Sequence, residues 1–358
     1  MTFGILSLGP EKFIREFSVF LIFLTVILNL FVSKKEYKPK IFIVYLTLFL
    51  CITLNFLLTG PGIGDLTALM DKRGIGTWIC FGLIFISYND KRYEFFKKFI
   101  IISVLVISAL ALFNLVDFGS GAYRGQALSK YRVYAVNMMW ITPYIFLITK
   151  NNPKLIFFRF YALFIGVFLA LIIQTRSFLL IYTLVIAFDF FYTKKKTYYT
   201  VGILIAAVLF VFILISTPSL SSSLDLLMQR GTNDTRSGQL DVFISQLNFF
   251  EVIVGKGYYA SYFFNGRYYP FLDNQWLLLI WWAGFIPAMA YFYLTAVIPI
   301  KLFFKKNQDY ETKVEALILI IWCLACGGLA IYTIMMIDYF FFIICIIQSR
   351  LLYKFSKT

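Results

Sequence analysis

The chain has 358 residues, of which 61% are hydrophobic, 20% aromatic and only 14% charged, with a mean hydropathy of +0.81. Soluble domains carry roughly 25% charged residues and about 45–50% apolar ones, so this composition excludes a large water-facing domain, a disordered chain and a disulfide scaffold. The net charge of +15 comes without a single histidine, which excludes imidazole bases and imidazole metal ligands.

An integral, all-α, polytopic membrane protein is expected, because lipid tolerates only backbone whose polar groups are satisfied within the spanning element. A span needs about 20 mostly apolar residues. Eleven runs qualify in chain order: 16–32, 41–58, 75–88, 98–116, 133–149, 157–173, 177–192, 198–215, 275–299, 314–330 and 333–350. The first lacks a small-residue cleavage site and reads as a retained anchor. Residues 1–358 are taken as a single transmembrane domain, with 216–274 as a large extracytoplasmic loop within it. The five cysteines, Cys51, Cys80, Cys323, Cys326 and Cys345, all lie in apolar runs. Cys323 and Cys326 form a C-x-x-C buried among Trp322, Leu324 and Gly327, which reads as small hydrophobes in a helix and not as a metal or redox pair.

Alternate loops then separate by charge. One set holds 21 of the 33 basic residues, 18 lysines and 3 arginines, from Lys34 and Lys35 through Lys194–Lys196 to Lys354 and Lys357. By the positive-inside rule this side is cytoplasmic, which puts the amino terminus outside and the carboxyl terminus inside. The other side has 12 basic residues, and 8 of these are arginines: Arg15, Arg73, Arg124, Arg132, Arg176, Arg230, Arg236 and Arg267. Lysine suffices for topology, whereas arginine offers a planar fork matched to phosphate or carboxylate oxygens. An anionic ligand at the outer face is the expectation, set against ordinary pairing with external acids such as Asp65, Asp71, Asp117 and Asp234.

Arg176 stands in the brief break Gln174–Ser177 between two apolar runs, at the membrane boundary, where an arginine costs up to about 2–3 kcal/mol at full depth; its two readings are a functional cation and a side chain snorkelling to lipid head groups. In the long loop, Ser221–Gln229 reads as a short interfacial helix. From Leu240, apolar residues at Leu240, Phe243, Ile244, Leu247, Phe250 and Val254 predict one amphipathic helix. Asp234, Thr235 or Ser237 caps its start, which places Arg236 beside the helix amino terminus, a favourable place for phosphate oxygens. Gly255-Lys256-Gly257 stops it. The aromatic stretch that follows, Tyr258 to Phe271, reads either as an interfacial belt or as a platform for sugar faces. Asp273-Asn274-Gln275 then puts a carboxylate and two amides at the outer mouth of the next helix. Asp338, about one turn below the outer end of the last run, is a second acid, for an ion pair or for catalysis. No D-x-D, H-E-x-x-H, phosphate-binding glycine loop or dinucleotide fingerprint occurs.

Four places carry a family likeness: Arg124-Gly125 with Asn137; Thr175-Arg176-Ser177; Arg236 ahead of a helix and Gly255-Lys256-Gly257; and Asp273-Asn274 before a helix containing Gly284. In their order and common side they resemble the O-antigen polymerase (Wzy-type) and O-antigen ligase superfamily of membrane glycan polymerases, over roughly residues 120 to 300. The resemblance implies a metal-independent glycosyltransferase without cofactor, in a bacterial cytoplasmic membrane. Its donor and acceptor are polyprenyl diphosphate-linked oligosaccharides of O-antigen or capsular type, with a chain-length regulator as a further partner and no nucleic acid. Carried over, Arg176 and Arg236 become the diphosphate clamp and Asp273 the acceptor base; Arg124, Arg132, Arg230, Lys256, Tyr258, Arg267, Asn274 and Asp338 become substrate-binding candidates. The ligases typically show His-Asn where this chain has Asp273-Asn274, which favours polymerase over ligase. A lipid-linked glycan flippase is the rival from another class, although the sequence carries no internal repeat of the transporter kind.

Overall fold

A computed structural model describes residues 24–28, 37–62, 64–69, 71, 73–86, 90–115, 138, 140–172, 176–193, 235–327 and 339–357. The protein is mostly helical. Among the described residues three helices, Pro39–Thr59, Pro153–Ala170 and Phe285–Phe304, are long and apolar enough to cross a membrane. The chain divides into two compact units, residues 1–97 with 234–358, and residues 98–233.

In the first unit, Pro39–Thr59 opens with proline at its first turn, where the missing N–H costs nothing. Ile41, Tyr45, Leu48, Ile52 and Phe56 repeat at helical spacing and are buried, while Ile43, Leu50, Leu54, Leu57 and Leu58 on the remaining surface are exposed. A helix that is apolar on all sides and covered on only one belongs in lipid. Its start lies beside the end of Tyr339–Lys357, where the Lys38 amide donates to Ser356 Oγ at 3.1 Å. Its far end meets the long loop, where the Tyr258 amide donates to Thr59 Oγ1 at 2.8 Å. Twenty-one residues of helix separate those two ends by roughly 30 Å, at 1.5 Å per residue. The core between them is aromatic: Trp78, Phe81, Trp282, Tyr291 and Trp322 are almost wholly buried, with Trp78 and Tyr291 crossing edge to face at 5.4 Å.

Three expectations change. The run 75–88 forms a short α-helix, Ile75–Cys80, followed by one 3₁₀ segment, Phe81–Phe85, together about 20 Å long, in place of one regular helix. The run 275–299 is not one helix. Gln275–Ala283 ends at Gly284, whose φ of +98° turns the chain, and a second helix then runs from Phe285 to Phe304 with a π turn at Tyr293–Val297. The break has a tertiary cause: the carbonyls of Trp281 and Trp282 accept the amides of Lys256 and Gly257 at 2.7 and 3.0 Å, and Asn55 Nδ2 also donates to Trp282 O at 3.0 Å. Third, the long loop adds a small antiparallel hairpin, Tyr262–Phe264 with Arg267–Tyr269, to the expected all-helical content. Asn265 and Gly266 both take positive φ at its tip, the two-residue turn such hairpins require.

The lysine-rich end of this unit is cross-linked by charge. Asp309 caps Tyr310–Ala325 and binds Lys354 at 2.6 Å, while Arg350 reaches Glu315 at 3.4 Å and Glu311 at 3.6 Å. In the second unit, Ile156–Ile172 and Arg176–Phe191 follow the expected runs closely. They hold a buried acid, Asp189, which is paired with Lys150 at 3.0 Å and with Arg159. Arg159 is therefore not a solvated loop charge: it donates from Nε to Phe146 O at 3.0 Å and lies 4.4 Å over the Phe146 ring. All five cysteines are free thiols.

Candidate functional site

The end of the first unit away from the lysines carries the folded part of the long loop. The amphipathic helix expected from Leu240 to Val254 is in fact two, Thr235–Ser245 and Phe249–Val254. Asn248 breaks the run because its side chain caps the second helix, accepting the Phe250 amide at 3.1 Å. Phe243 turns inward and is buried, against Tyr262 at 5.2 Å and Trp281 at 5.0 Å between ring centroids. Gln246 extends the hairpin edge as a strand would: its Nε2 donates to Phe263 O at 2.8 Å and its Oε1 accepts the Phe263 amide at 2.9 Å.

Arg73 holds the loop down. It is 3% exposed, and its Nη1 donates to the carbonyls of Tyr258 at 2.6 Å and Ala260 at 3.0 Å while Nη2 donates to Pro270 O. One guanidinium thus ties together the two ends of the segment that contains the hairpin. Burial lowers its pKa to about 10, an effect that Asp71 and Tyr258 oppose; the group stays cationic at neutral pH. Tyr258 donates to Asp71 Oδ2 at 3.3 Å, and burial, with Asp71 beside it, pushes the Tyr258 hydroxyl up to about 12.

Asp273 and Asn274 stand at the mouth of Gln275–Ala283, as expected. Asn274 is the cap, its Oδ1 accepting the Leu277 amide at 3.1 Å. Asp273 is half-buried and close enough to Tyr262 to help raise that phenol to about 12, behind the larger effect of burial and against the hydrogen bond from Gln239. Tyr262 donates to Phe271 O at 3.1 Å and accepts from Gln239 Nε2. Arg236 belongs to the first turn of Thr235–Ser245, the helix that carries Gln239 and Phe243. Lys256 pairs with Glu251 at 3.4 Å and lies 5.5 Å over the Trp281 ring. Arg267 is exposed at the hairpin, donating from Nε to Tyr269 Oη at 2.5 Å.

The structure therefore gathers Asp273, Asn274, Lys256, Tyr258, Arg267 and the backbone of Arg236 into one loop assembly. Arg176 begins the helix Arg176–Phe191 in the second unit, and its side chain, like that of Arg236, lies outside the described residues, as do Arg124, Arg132, Arg230 and Asp338. Among the described residues no cluster of three metal-binding side chains occurs. Sequence reasoning counted Arg73 only among the outer cations and missed its hold on the loop carbonyls, and it missed Glu251 with Lys256 as a pair; the signal for Arg73 was its place near Asp71 in a Gly-rich turn before a Trp-bearing helix. No family model, curated protein or solved structure matches the chain.

Proposed function

We propose that this chain is a membrane glycan polymerase that acts at the outer face of a bacterial cytoplasmic membrane. It transfers an oligosaccharide from polyprenyl diphosphate to a hydroxyl of a second lipid-linked unit. The acceptor oxygen attacks the anomeric carbon, the bond to the diphosphate breaks with its electron pair, and the hydroxyl proton passes to Asp273. Arg176 and Arg236 neutralise the departing diphosphate, each charge-assisted hydrogen bond contributing about 1.5–3 kcal/mol. Attack opposite the leaving group inverts the anomeric centre. Eleven spans, with the lysine-rich end cytoplasmic, complete the reading.

The observation that supports it most is the nearness of Asp273 to the Tyr262 phenol, which Gln239 of the Thr235–Ser245 helix also reaches. Exposed Tyr259, Phe263 and Tyr268 belong to the same loop, flat apolar faces of the kind on which sugars stack.

The deciding experiment gives purified protein a lipid-linked repeat unit without metal or nucleotide and looks for a ladder of products. Arg176→Ala and Arg236→Ala should abolish the ladder, and Arg→Lys at either position should lose most of it, since a point charge cannot copy the fork. Normal ladders from both alanine variants would remove the clamp, and near-normal turnover by Asp273→Asn would remove the base.

A further inference from the structure

The helix Phe249–Val254 presents an unusual surface for a loop outside the membrane. Phe249 is 78% exposed, Phe250 67%, Ile253 45% and Val254 53%. Glu251 alone among its residues is charged, and it is drawn toward Lys256 and away from that surface. An apolar patch of this kind marks a partner, and the neighbouring backbone says which. Gly284 packs so tightly on the carbonyls of Ile253 and Val254 that an added Cβ would meet them at 2.8 Å. The next residues, Phe285 and Ile286, begin a membrane-crossing helix and are 48% and 56% exposed. The end of Pro39–Thr59, a second such helix packed against the first, also exposes Leu57 and Leu58. The patch on Phe249–Val254 thus adjoins the exposed apolar head of the Phe285–Phe304 span.

We infer that Phe249–Val254 is immersed in the acyl region of the outer leaflet, lying against the head of the Phe285–Phe304 span, with the bilayer as its occupant. The chemistry of immersion accounts for the local design. The non-helical turn Gly255–Gly257 can enter this depth only because its amides at 256 and 257 are bound by the carbonyls of Trp281 and Trp282. Lys256 keeps its charge beside this surface by pairing with Glu251 at 3.4 Å and lying over the Trp281 ring at 5.5 Å. The inference depends on the membrane character of the chain and on nothing in the glycan chemistry.

Site-directed spin labelling tests it in vesicles of phosphatidylethanolamine and phosphatidylglycerol. With Cys51 replaced by Ser, the one cysteine that is not buried, single labels are placed at Phe250→Cys and Ile253→Cys, and at Tyr268→Cys on the exposed hairpin as reference. Power saturation compares oxygen, which concentrates in lipid, with a water-soluble nickel chelate. Labels at 250 and 253 should be at least threefold more accessible to oxygen than to the chelate, and the label at 268 should show the reverse order. Equal chelate access at 250, 253 and 268 would overturn the inference in favour of solvent. Shielding of 250 and 253 from both reagents would overturn it in favour of a protein partner, such as a second copy.

Discussion

Replacing Arg73 should free the hairpin segment while leaving the spans intact. The guanidinium is 3% exposed and serves three carbonyls, those of Tyr258, Ala260 and Pro270. A hydrogen bond to a charged donor contributes about 1.5–3 kcal/mol, but the sum is offset by the cost of burying the cation, and removal of one buried charged partner typically costs about 3–5 kcal/mol. A loss of about 3 kcal/mol in Arg73→Ala corresponds to a rise of roughly 100-fold in the local opening equilibrium. Hydrogen exchange of peptides covering 258–271 reads this directly, with peptides from Pro39–Thr59 as the internal reference, because opening of a loop is independent of opening of a packed span. Arg73→Lys should recover only part of the protection, since one ammonium cannot bridge both ends of the segment as the fork does. Exchange in 258–271 within threefold of the parent protein would refute the clamp, because three carbonyls would then have lost their shared donor without consequence.

Gly284→Ala should cost about 1–3 kcal/mol from the positive φ alone, and more from its approach to the Ile253 and Val254 carbonyls; a thiol-reactive dye reporting the buried cysteines during heating should show a lower transition, and an unchanged one would mean the turn is not tightly fixed. Burial pushes the Asp309 carboxyl up, but Lys354 and the amide and hydroxyl of Thr312 more than reverse this and hold it down at about 2. Its stabilising contribution is therefore complete above the ordinary value of 3.8 and is lost as pH falls from there towards 2. The thermal transitions of the parent and Asp309→Ala should accordingly differ at pH 6 and converge near pH 2; a gap that stays constant over that range would exclude the ion pair as its source. Asp189→Asn strands Lys150 and Arg159 in a buried place and should lower stability by about 3–5 kcal/mol, measured by the same heating assay, whereas exposed Asp241→Asn should change nothing; equal behaviour of the two would show the Asp189 pair to be idle.

The apolar helices were legible because hydropathy over long windows reads burial in lipid or protein alike, and Pro39–Thr59, Ile156–Ile172 and Arg176–Phe191 fall within a few residues of the expected runs. That same indifference hid the true form of the loop. From Leu240 to Val254 the apolar spacing suits one helix with one protein-facing stripe, yet Phe243 is buried in protein while Phe250 and Val254 are exposed. A pattern that counts apolar residues does not say whether a side chain meets another side chain or an acyl chain, and Asn248, the residue that divides the run, acts through a cap that any polar position in a loop resembles. The break at Gly284 was out of reach for a different reason. It depends on amides from Lys256 and Gly257, more than twenty residues away in sequence, and no local propensity encodes a hydrogen bond across that separation.

The charge argument needs the sharpest revision, and Arg73 supplies it. Eight arginines on the outer side suggested a store of cations for an anionic ligand, as though each fork were free. Arg73 spends its terminal nitrogens on backbone carbonyls, and Arg267 lies along Tyr269 at 4.7 Å and donates to it. Arginine in this loop therefore has a structural job: a loop between helices needs its carbonyls satisfied, and a rigid five-donor fork does so where lysine does not. The proposed anion-binding role is a separate job, and substitution by lysine separates the two. A structural arginine such as Arg73 should register first in exchange and stability, with product formation following in proportion. A ligand-binding one, as proposed for Arg176 and Arg236, should lose product formation at unchanged stability.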